Sequence, residues 1–279
     1  MIIDVYAREP IGYRGTIPIF SDSNDYTDNY EQISADHLTS LQRHGTNPFI
    51  PEDLWIQYEN STIELIRKYA KQGDTILDVG VGLGRLLSDF PELQRYGMDI
   101  SFGYLDLAQS KWIEVCYALV EDMPYQERIF DMVVCTDILE HMLDLNLSVG
   151  KILSVLKDRG ILIARVPYRE DLSWYVSPEC KYKYVHLRNF DENSLRLLFE
   201  QVFGCEVIEM VNAGYDAAYV NRLKFATLIP ERFRWRLSKL FLKVRKLSKP
   251  LYEALLKKIY YSFEINIVLR KSNIRKEAS

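Results

Sequence analysis

Three glycines at alternate positions, Gly80, Gly82 and Gly84, stand in Ile76-Leu-Asp-Val-Gly-Val-Gly-Leu-Gly-Arg85. There an apolar run gives way to a helical pattern. Such a turn brings the backbone close to a ligand without Cβ interference, and the following helix offers its N–H groups to a negative group. The spacing is GxGxG, which differs from the GxGxxG of dinucleotide sites. Asp99 ends the next apolar run, in Tyr96-Gly-Met-Asp-Ile-Ser101, where a carboxylate can accept both hydroxyls of a ribose. Two more acidic stretches follow, Glu121-Asp122-Met-Pro-Tyr125 and Asp137-Ile-Leu-Glu140-His141. If the second begins a helix, its two acids and its imidazole share one face. His186, in Tyr184-Val-His-Leu-Arg-Asn-Phe190, would add a second imidazole. Asp137, Glu140, His141 and His186 together suit a divalent ion such as Mg2+ or Mn2+, with positions open for substrate oxygens. Either His141 or His186 is also a candidate general base.

These residues need a scaffold, and the surrounding pattern supplies one. Apolar, strand-like runs at residues 75–80, 95–99, 114–120, 130–136, 160–167, 205–211 and 263–269 alternate with helical patterns such as 145–156 and 192–202. Alternation of this kind implies a mostly parallel sheet covered on both faces. Pro51-Glu52-Asp53 opens a further helix before the first strand, its acids suiting a helix N-terminus. Residues 1–50, rich in Tyr, Asp and Asn, show no clear period and read as irregular structure that caps the rest.

The ordered motifs resemble the class I S-adenosylmethionine (SAM) methyltransferases, in the small-molecule branch with its LDVGxGxG…LEH pattern. The resemblance runs from about residue 54 to 211 and includes the closing strand. It implies an α/β, Rossmann-like, doubly wound seven-strand sheet whose last strand is antiparallel. It also implies that Asp78 and Gly80–Gly84 hold the amino-acid end of SAM, that Asp99 binds the ribose, that Ile100 packs on the adenine, and that Glu121 and Asp122 lie beside it. Leu119 stands where the family often has an Asp that pairs with the adenine amino group, and Asp158-Arg159-Gly160 replaces a common Pro-Gly-Gly turn. The Asp137…His186 set further resembles the E-x-x-E-H…H arrangement of two metal-dependent O-methyltransferases, one acting in ubiquinone biosynthesis and one on small-RNA 3′ ends. The first acid is here an Asp, one carbon shorter.

The chain of 279 residues carries 48% hydrophobic and 27% charged residues and a net charge of −4, the balance of an ordinary globular protein. Its four cysteines form no CxxC pair, and two lie within strand-like runs, so a disulfide framework or zinc ribbon is not expected. No stretch approaches the ~20 unbroken apolar residues of a membrane-spanning helix, and the first residues lack the pattern of a secretory signal. A cytoplasmic protein is expected. The small net charge hides an asymmetry: residues 222–262 hold twelve Lys/Arg and two Asp/Glu, whereas residues 1–221 hold 19 basic and 35 acidic residues.

The basic segment lies between Pro230 and Pro250 and reads as an amphipathic helix, residues 232–247, with a shorter one after it. Phe233, Leu237, Leu240, Phe241, Val244 and Leu247 fall on one face, and Arg232, Arg236, Lys239, Lys243 and Lys246 largely off it. Such a helix suits the inner face of an anionic membrane. The alternatives are RNA phosphates, which the acidic body opposes, and simple docking on that body. The organisation expected is thus a cap (1–50), a methyltransferase core (51–220), a basic helical insert (221–262), and a closing strand with tail (263–279).

The aromatic loop with Tyr168, Trp174, Tyr175, Tyr182 and Tyr184 is expected to flank the acceptor entrance, and Tyr26 and Tyr30 to close over SAM. The resulting expectation is O-methylation of a small or lipid-linked acceptor, such as a glycan, a glycolipid or a quinone-like phenol. The alternatives are a metal-dependent RNA-end 2′-O-methyltransferase and a SAM-binding regulator without chemistry.

Overall fold

The computed structural model describes residues 5–272. Its centre is a nine-stranded sheet: β1 (Gly12–Arg14), β2 (Ile17–Ile19), β3 (Thr75–Val79), β4 (Gln94–Asp99), β5 (Glu114–Tyr117), β6 (Phe130–Thr136), β7 (Leu156–Pro167), β8 (Glu206–Ala213) and β9 (Glu264–Arg270). The order across the sheet is β1-β2-β5-β4-β3-β6-β7-β9-β8. Strands β5, β4, β3, β6 and β7 run parallel, while β9 is antiparallel to both β7 and β8. The seven strands expected from the sequence are all present, including the antiparallel closing strand. Strand order reverses at β3, between β4 and β6, so the carboxyl ends of these strands open the crevice where α/β sheets bind ligands.

Both faces of the sheet are buried. Along β6, Met132 and Val134 enter one apolar cluster with Ile66, Leu87 and Leu105, while Val133 and Cys135 enter the other with Val149, Ile152 and Phe199. Successive side chains of a strand point to opposite faces, so a strand apolar throughout must be covered twice. Helices α2 (Glu52–Tyr69), α3 (Arg85–Ser88) and α4 (Phe102–Gln109) cover the first face; α5 (Leu145–Val155) and α6 (Glu192–Arg196) cover the second. A wider π turn, Leu197–Val202, continues α6.

The N-terminal segment differs from its sequence reading. A hairpin, β1–β2, pairs through Ile19 with Tyr117 of β5 and extends the sheet. A 20-residue helix, α1 (Asp25–His44), follows. It starts at an Asn24–Thr27 capping box and ends on Gly45 in the left-handed region. Its buried residues are Tyr26, Thr27, Ser34 and His37. A helix whose inward face is polar and aromatic leaves no apolar period to read. That face is anchored by hydrogen bonds instead: Ser101 Oγ donates to Ser34 Oγ at 2.6 Å, and His37 Nδ1 meets Tyr104 Oη at 2.7 Å.

The basic insert forms the expected pair of helices, α7 (Glu231–Leu247) and α8 (Lys249–Ile259). Phe241, Tyr252, Leu256 and Tyr260 form a small core of their own with Ala217 and Leu223.

Candidate active site

The glycine turn sits at the carboxyl end of β3, and its glycines have different tasks. Gly80, Gly82 and Gly84 all have positive φ, which a side chain resists. A Cβ on Gly84 would stand 2.9 Å from Ala108 Cα, so this glycine seats the turn against α4 rather than facing a ligand. A Cβ on Gly82 meets no atom closer than 4.0 Å, and its N–H donates to Asp99 Oδ2 at 2.9 Å. The other oxygen, Asp99 Oδ1, accepts from the N–H groups of Ile100 (2.8 Å) and Ser101 (3.0 Å). Burial still outweighs these bonds and pushes the Asp99 carboxyl up to about 6.

Asp78, Gly80, Gly82, Asp99, Ile100 and Glu121 line one wall of a cavity of about 730 Å³, within the ~300–1,000 Å³ range of small-molecule sites. Asp78 is buried, and its Oδ1 has no hydrogen-bond partner among the described residues. Burial, then the charge of Asp99, pushes its carboxyl up to about 8. A buried carboxylate without a partner is costly; a cationic ligand beside it removes the cost. The amino group and sulfonium of SAM are such cations, so the residues present fit that cofactor. Leu119 lines the same wall, and Ser148 Oγ donates to Glu121 Oε1 at 3.0 Å.

Asp122 is a correction. Its carboxylate turns outward, accepting from Ser21 Oγ at 2.9 Å and pairing with Arg8 at 2.7 Å. It fastens the N-terminal segment to the turn after β5 and stays out of the cavity wall.

The segment Asp137–His141 is likewise not helical. Asp137 has φ of 57°, and the chain turns sharply after β6. The i, i+3, i+4 argument therefore does not apply, and Asp137 leaves the proposed ligand set. Its carboxylate is claimed by Arg165 from β7, with Nη2–Oδ2 at 2.5 Å and Nε–Oδ1 at 3.1 Å. A buried guanidinium needs a bidentate partner, and Asp137 is that partner.

The other three come together. One donor atom from each of Glu140, His141 and His186 lies within 4.8 Å of the other two. Glu140 is fully buried, and neither carboxylate oxygen has a hydrogen-bond partner among the described residues. His141 Nδ1 meets Tyr30 Oη at 2.8 Å, and His141 Nε2 stands 3.9 Å from Glu140 Oε1. His186 Nδ1 is held by Glu170 Oε2 at 2.5 Å and by Tyr175 Oη at 3.1 Å. With each Nδ1 edge engaged, the Nε2 edges remain for a ligand. A hydroxyl behind His141, and a carboxylate with a hydroxyl behind His186, fix the orientation of the two rings, as partners behind metal-binding histidines do.

The three groups differ in their electrostatics. Burial, then the nearby His186, lowers His141 to about 3, so its ring is neutral at neutral pH. For His186, burial works against the charged form, but the Glu170 hydrogen bond and the charges of Glu140 and Glu170 outweigh it and raise the pKa. Burial raises Glu140, opposed by His186 and assisted by Asp137. Desolvation also raises Glu264, whose Oε2 has no partner among the described residues and which borders the same cavity.

The sequence reading missed Arg165, Glu170 and Glu264. Arg165 and Glu264 carried a signal, a charge inside an otherwise apolar strand; Glu170, in a loop, carried none. Tyr26 and Tyr30 from α1 line the cavity, and so do Trp174, Tyr175 and Tyr182 from the aromatic loop. The two lid pieces are tied by Asn29, whose Nδ2 donates to the Tyr184 carbonyl and whose Oδ1 accepts from Lys183 and Tyr184.

Residues 77–164 match the model of a methyltransferase domain family. The chain holds a class I SAM-dependent methyltransferase domain. That match spans β3 to β7, and with them every cofactor-side residue described above. An uncharacterized protein of Methanocaldococcus jannaschii, MJ1252, is 29% identical over 55% of this chain and 60% of its own length. The chain spans about three-fifths of the length of the first curated relatives it matches. Among solved structures, a chain of the complex between the Haloferax volcanii Trm112 methyltransferase activator and its putative methyltransferase superposes with a TM-score of 0.58. It shares 16% identity and covers 91% of this chain and 100% of that one. A Thermotoga maritima SAM-dependent methyltransferase, a possible histamine N-methyltransferase, gives 0.55 at 14% identity, covering 88% of this chain and 100% of that one. Likeness at these identities concerns the fold of the methyltransferase domain.

Proposed function

We propose that this protein transfers the methyl group of SAM to a hydroxyl oxygen of a small or lipid-linked acceptor, aided by a divalent ion at Glu140, His141 and His186. The observation that carries this reading is the pair of unpartnered, buried Glu140 oxygens facing two imidazoles oriented from behind. The same cavity offers Gly82 and Asp99 to the cofactor.

Methyl transfer from a sulfonium is an in-line displacement: the O–CH3 bond forms as the S–CH3 bond breaks, S-adenosylhomocysteine leaves as a neutral thioether and the hydroxyl proton is released to solvent, so alignment matters most. The Asp99 bonds to Gly82, Ile100 and Ser101 fix the ribose end of the cofactor wall. Tyr26, Tyr30 and Tyr175 exclude water from the opposite end. A neutral hydroxyl is a weak nucleophile; a bound divalent ion supplies the Lewis acidity that gives it alkoxide character. His141 is already neutral and able to donate its Nε2 lone pair, and Glu170 holds the proton on His186 Nδ1. With Asp137 committed to Arg165, the donors are one carboxylate and two imidazoles, which favours Mn2+ over Mg2+.

The test is transfer of labelled methyl from SAM into lipid, glycan, RNA and small-molecule fractions of source-cell extract, with and without chelator. Label in a lipid, glycan or small-molecule pool that disappears with chelator and returns with Mn2+ supports the proposal. Label that is indifferent to chelator refutes the ion, and label confined to RNA refutes the acceptor class.

A further inference from the structure

The insert carries an outer face that nothing in the fold uses. Of the six apolar residues on the sequence stripe of α7, Phe241 is buried and Leu237 and Val244 are partly buried against α8 and Tyr260. The remaining three, Phe233, Leu240 and Leu247, are exposed, and so are Trp235 and Leu242. Residues seven apart on a helix lie nearly in line. Phe233, Leu240 and Leu247 therefore form one apolar row along the solvent side, and Trp235 with Leu242 forms a second. Between the rows run Arg232, Lys239 and Lys246 in one line and Arg236 and Lys243 in another. None of these five cations has an ion pair among the described residues; the nearby Arg245 pairs with Asp53, and Lys249 with Glu253.

We propose that this outer face of α7 seats the protein on an anionic lipid surface. The occupant follows from the combination. Five unpaired cations on one face complement a negative surface. The two flanking rows, which include a Trp and a Phe, add apolar anchors that a phosphate backbone has no use for. Residues 1–221, with 19 basic and 35 acidic residues, oppose wider contact with a polyanion, so the charge is confined to the helix that also bears the apolar rows. The inner face already holds α7 on α8, so the helix needs no membrane to fold. No helix among the described residues is long and apolar enough to cross a membrane, so the attachment is peripheral. Arg222, at the root of the insert, donates to the carbonyls of Tyr168 and Arg169 and borders the cavity, so the seated insert adjoins the wall of the active site.

The full chain should co-sediment with phosphatidylcholine vesicles containing phosphatidylglycerol and not with phosphatidylcholine alone, and binding should weaken as salt rises. Each cation removed should weaken binding about fivefold, so R236Q/K239Q/K243Q should lose about a hundredfold. W235A/L240A should weaken binding while leaving the salt slope unchanged. All these side chains are exposed, and unchanged SAM affinity in each variant shows that the fold is intact. The vesicle assay contains no SAM, so its outcome is separate from the reading of the reaction. Equal binding to neutral vesicles, unaltered binding of the glutamine variant, or no binding at low salt overturns the proposal. Tighter binding to single-stranded RNA than to the mixed vesicles assigns the face to nucleic acid instead. A dimer that dissociates in the glutamine variant assigns it to a second copy.

Discussion

Replacing Asp99 by Ala is the perturbation whose consequence can be worked most completely. The wild-type carboxylate accepts three backbone bonds, from Gly82, Ile100 and Ser101, at 2.8–3.0 Å, so the glycine turn and the start of α4 are ordered around it. If the same carboxylate also takes the two ribose hydroxyls, two hydrogen bonds to a charged group are lost, each contributing roughly 1.5–3 kcal/mol. The expected loss of SAM affinity is then about 3–6 kcal/mol, or on the order of 10² to 10⁴ in Kd. Loss of order in the turn adds to this. D99N separates the two effects, because its carbonyl oxygen still accepts from Ile100 and Ser101 while its amide cannot accept from Gly82. It should fall between D99A and wild type. Isothermal titration with SAM gives the affinities, and thermal melting without ligand reports the cost to the fold. A D99A protein that melts at a lower temperature yet binds SAM with unchanged Kd would refute the ribose assignment and leave Asp99 a purely structural residue.

Other predictions follow from the same contacts. Because burial raises the Asp78 carboxyl to about 8 and the Asp99 carboxyl to about 6, their charged forms are lost in turn as pH falls; SAM affinity should decline as pH falls through 8 and more steeply below 6, as titration across pH would show. D122A should leave SAM affinity unchanged and lower stability by at most about 1 kcal/mol, since its partner Arg8 is well exposed; a large loss of affinity would return Asp122 to the cofactor wall. G84A should cost about 2–4 kcal/mol in denaturant unfolding, from a side chain at φ of 66° set 2.9 Å from Ala108. D137A leaves the buried guanidinium of Arg165 without its carboxylate, for an expected loss of about 3–5 kcal/mol in denaturant unfolding; D137A/R165M should recover part of it.

How far the sequence discloses this molecule depends on which force holds each part. Strands β3 to β7 are buried on both sides, so their runs are mostly apolar and their positions stand out. The glycine turn is legible because backbone geometry there excludes other residues. Helix α1 is not, since Ser34, His37, Tyr26 and Thr27 make its inward face and hydrogen bonds replace apolar contact. The reacting end is legible in part. Glu140 and His141 are adjacent in sequence, and His186 was placed with them by resemblance, yet what brings His186 to the site is Glu170, a loop residue with no pattern around it. Asp137 looked equivalent to Glu140 because spacing records only where a carboxylate hangs. What separates them is a guanidinium on another strand, Arg165, and partner choice of that kind is visible only once β6 and β7 are paired.

The central claim is that Glu140, His141 and His186 hold a divalent ion beside the cofactor wall. The most direct measurement is calorimetric titration of the chelator-stripped protein with Mn2+, in wild type and in E140Q, with SAM affinity measured on both. The account predicts one Mn2+ per chain in wild type, binding at least tenfold weaker in E140Q, and SAM binding little changed between them. No saturable Mn2+ binding in wild type, or equal binding in E140Q with SAM affinity intact, would contradict it and leave these residues as acid–base groups alone.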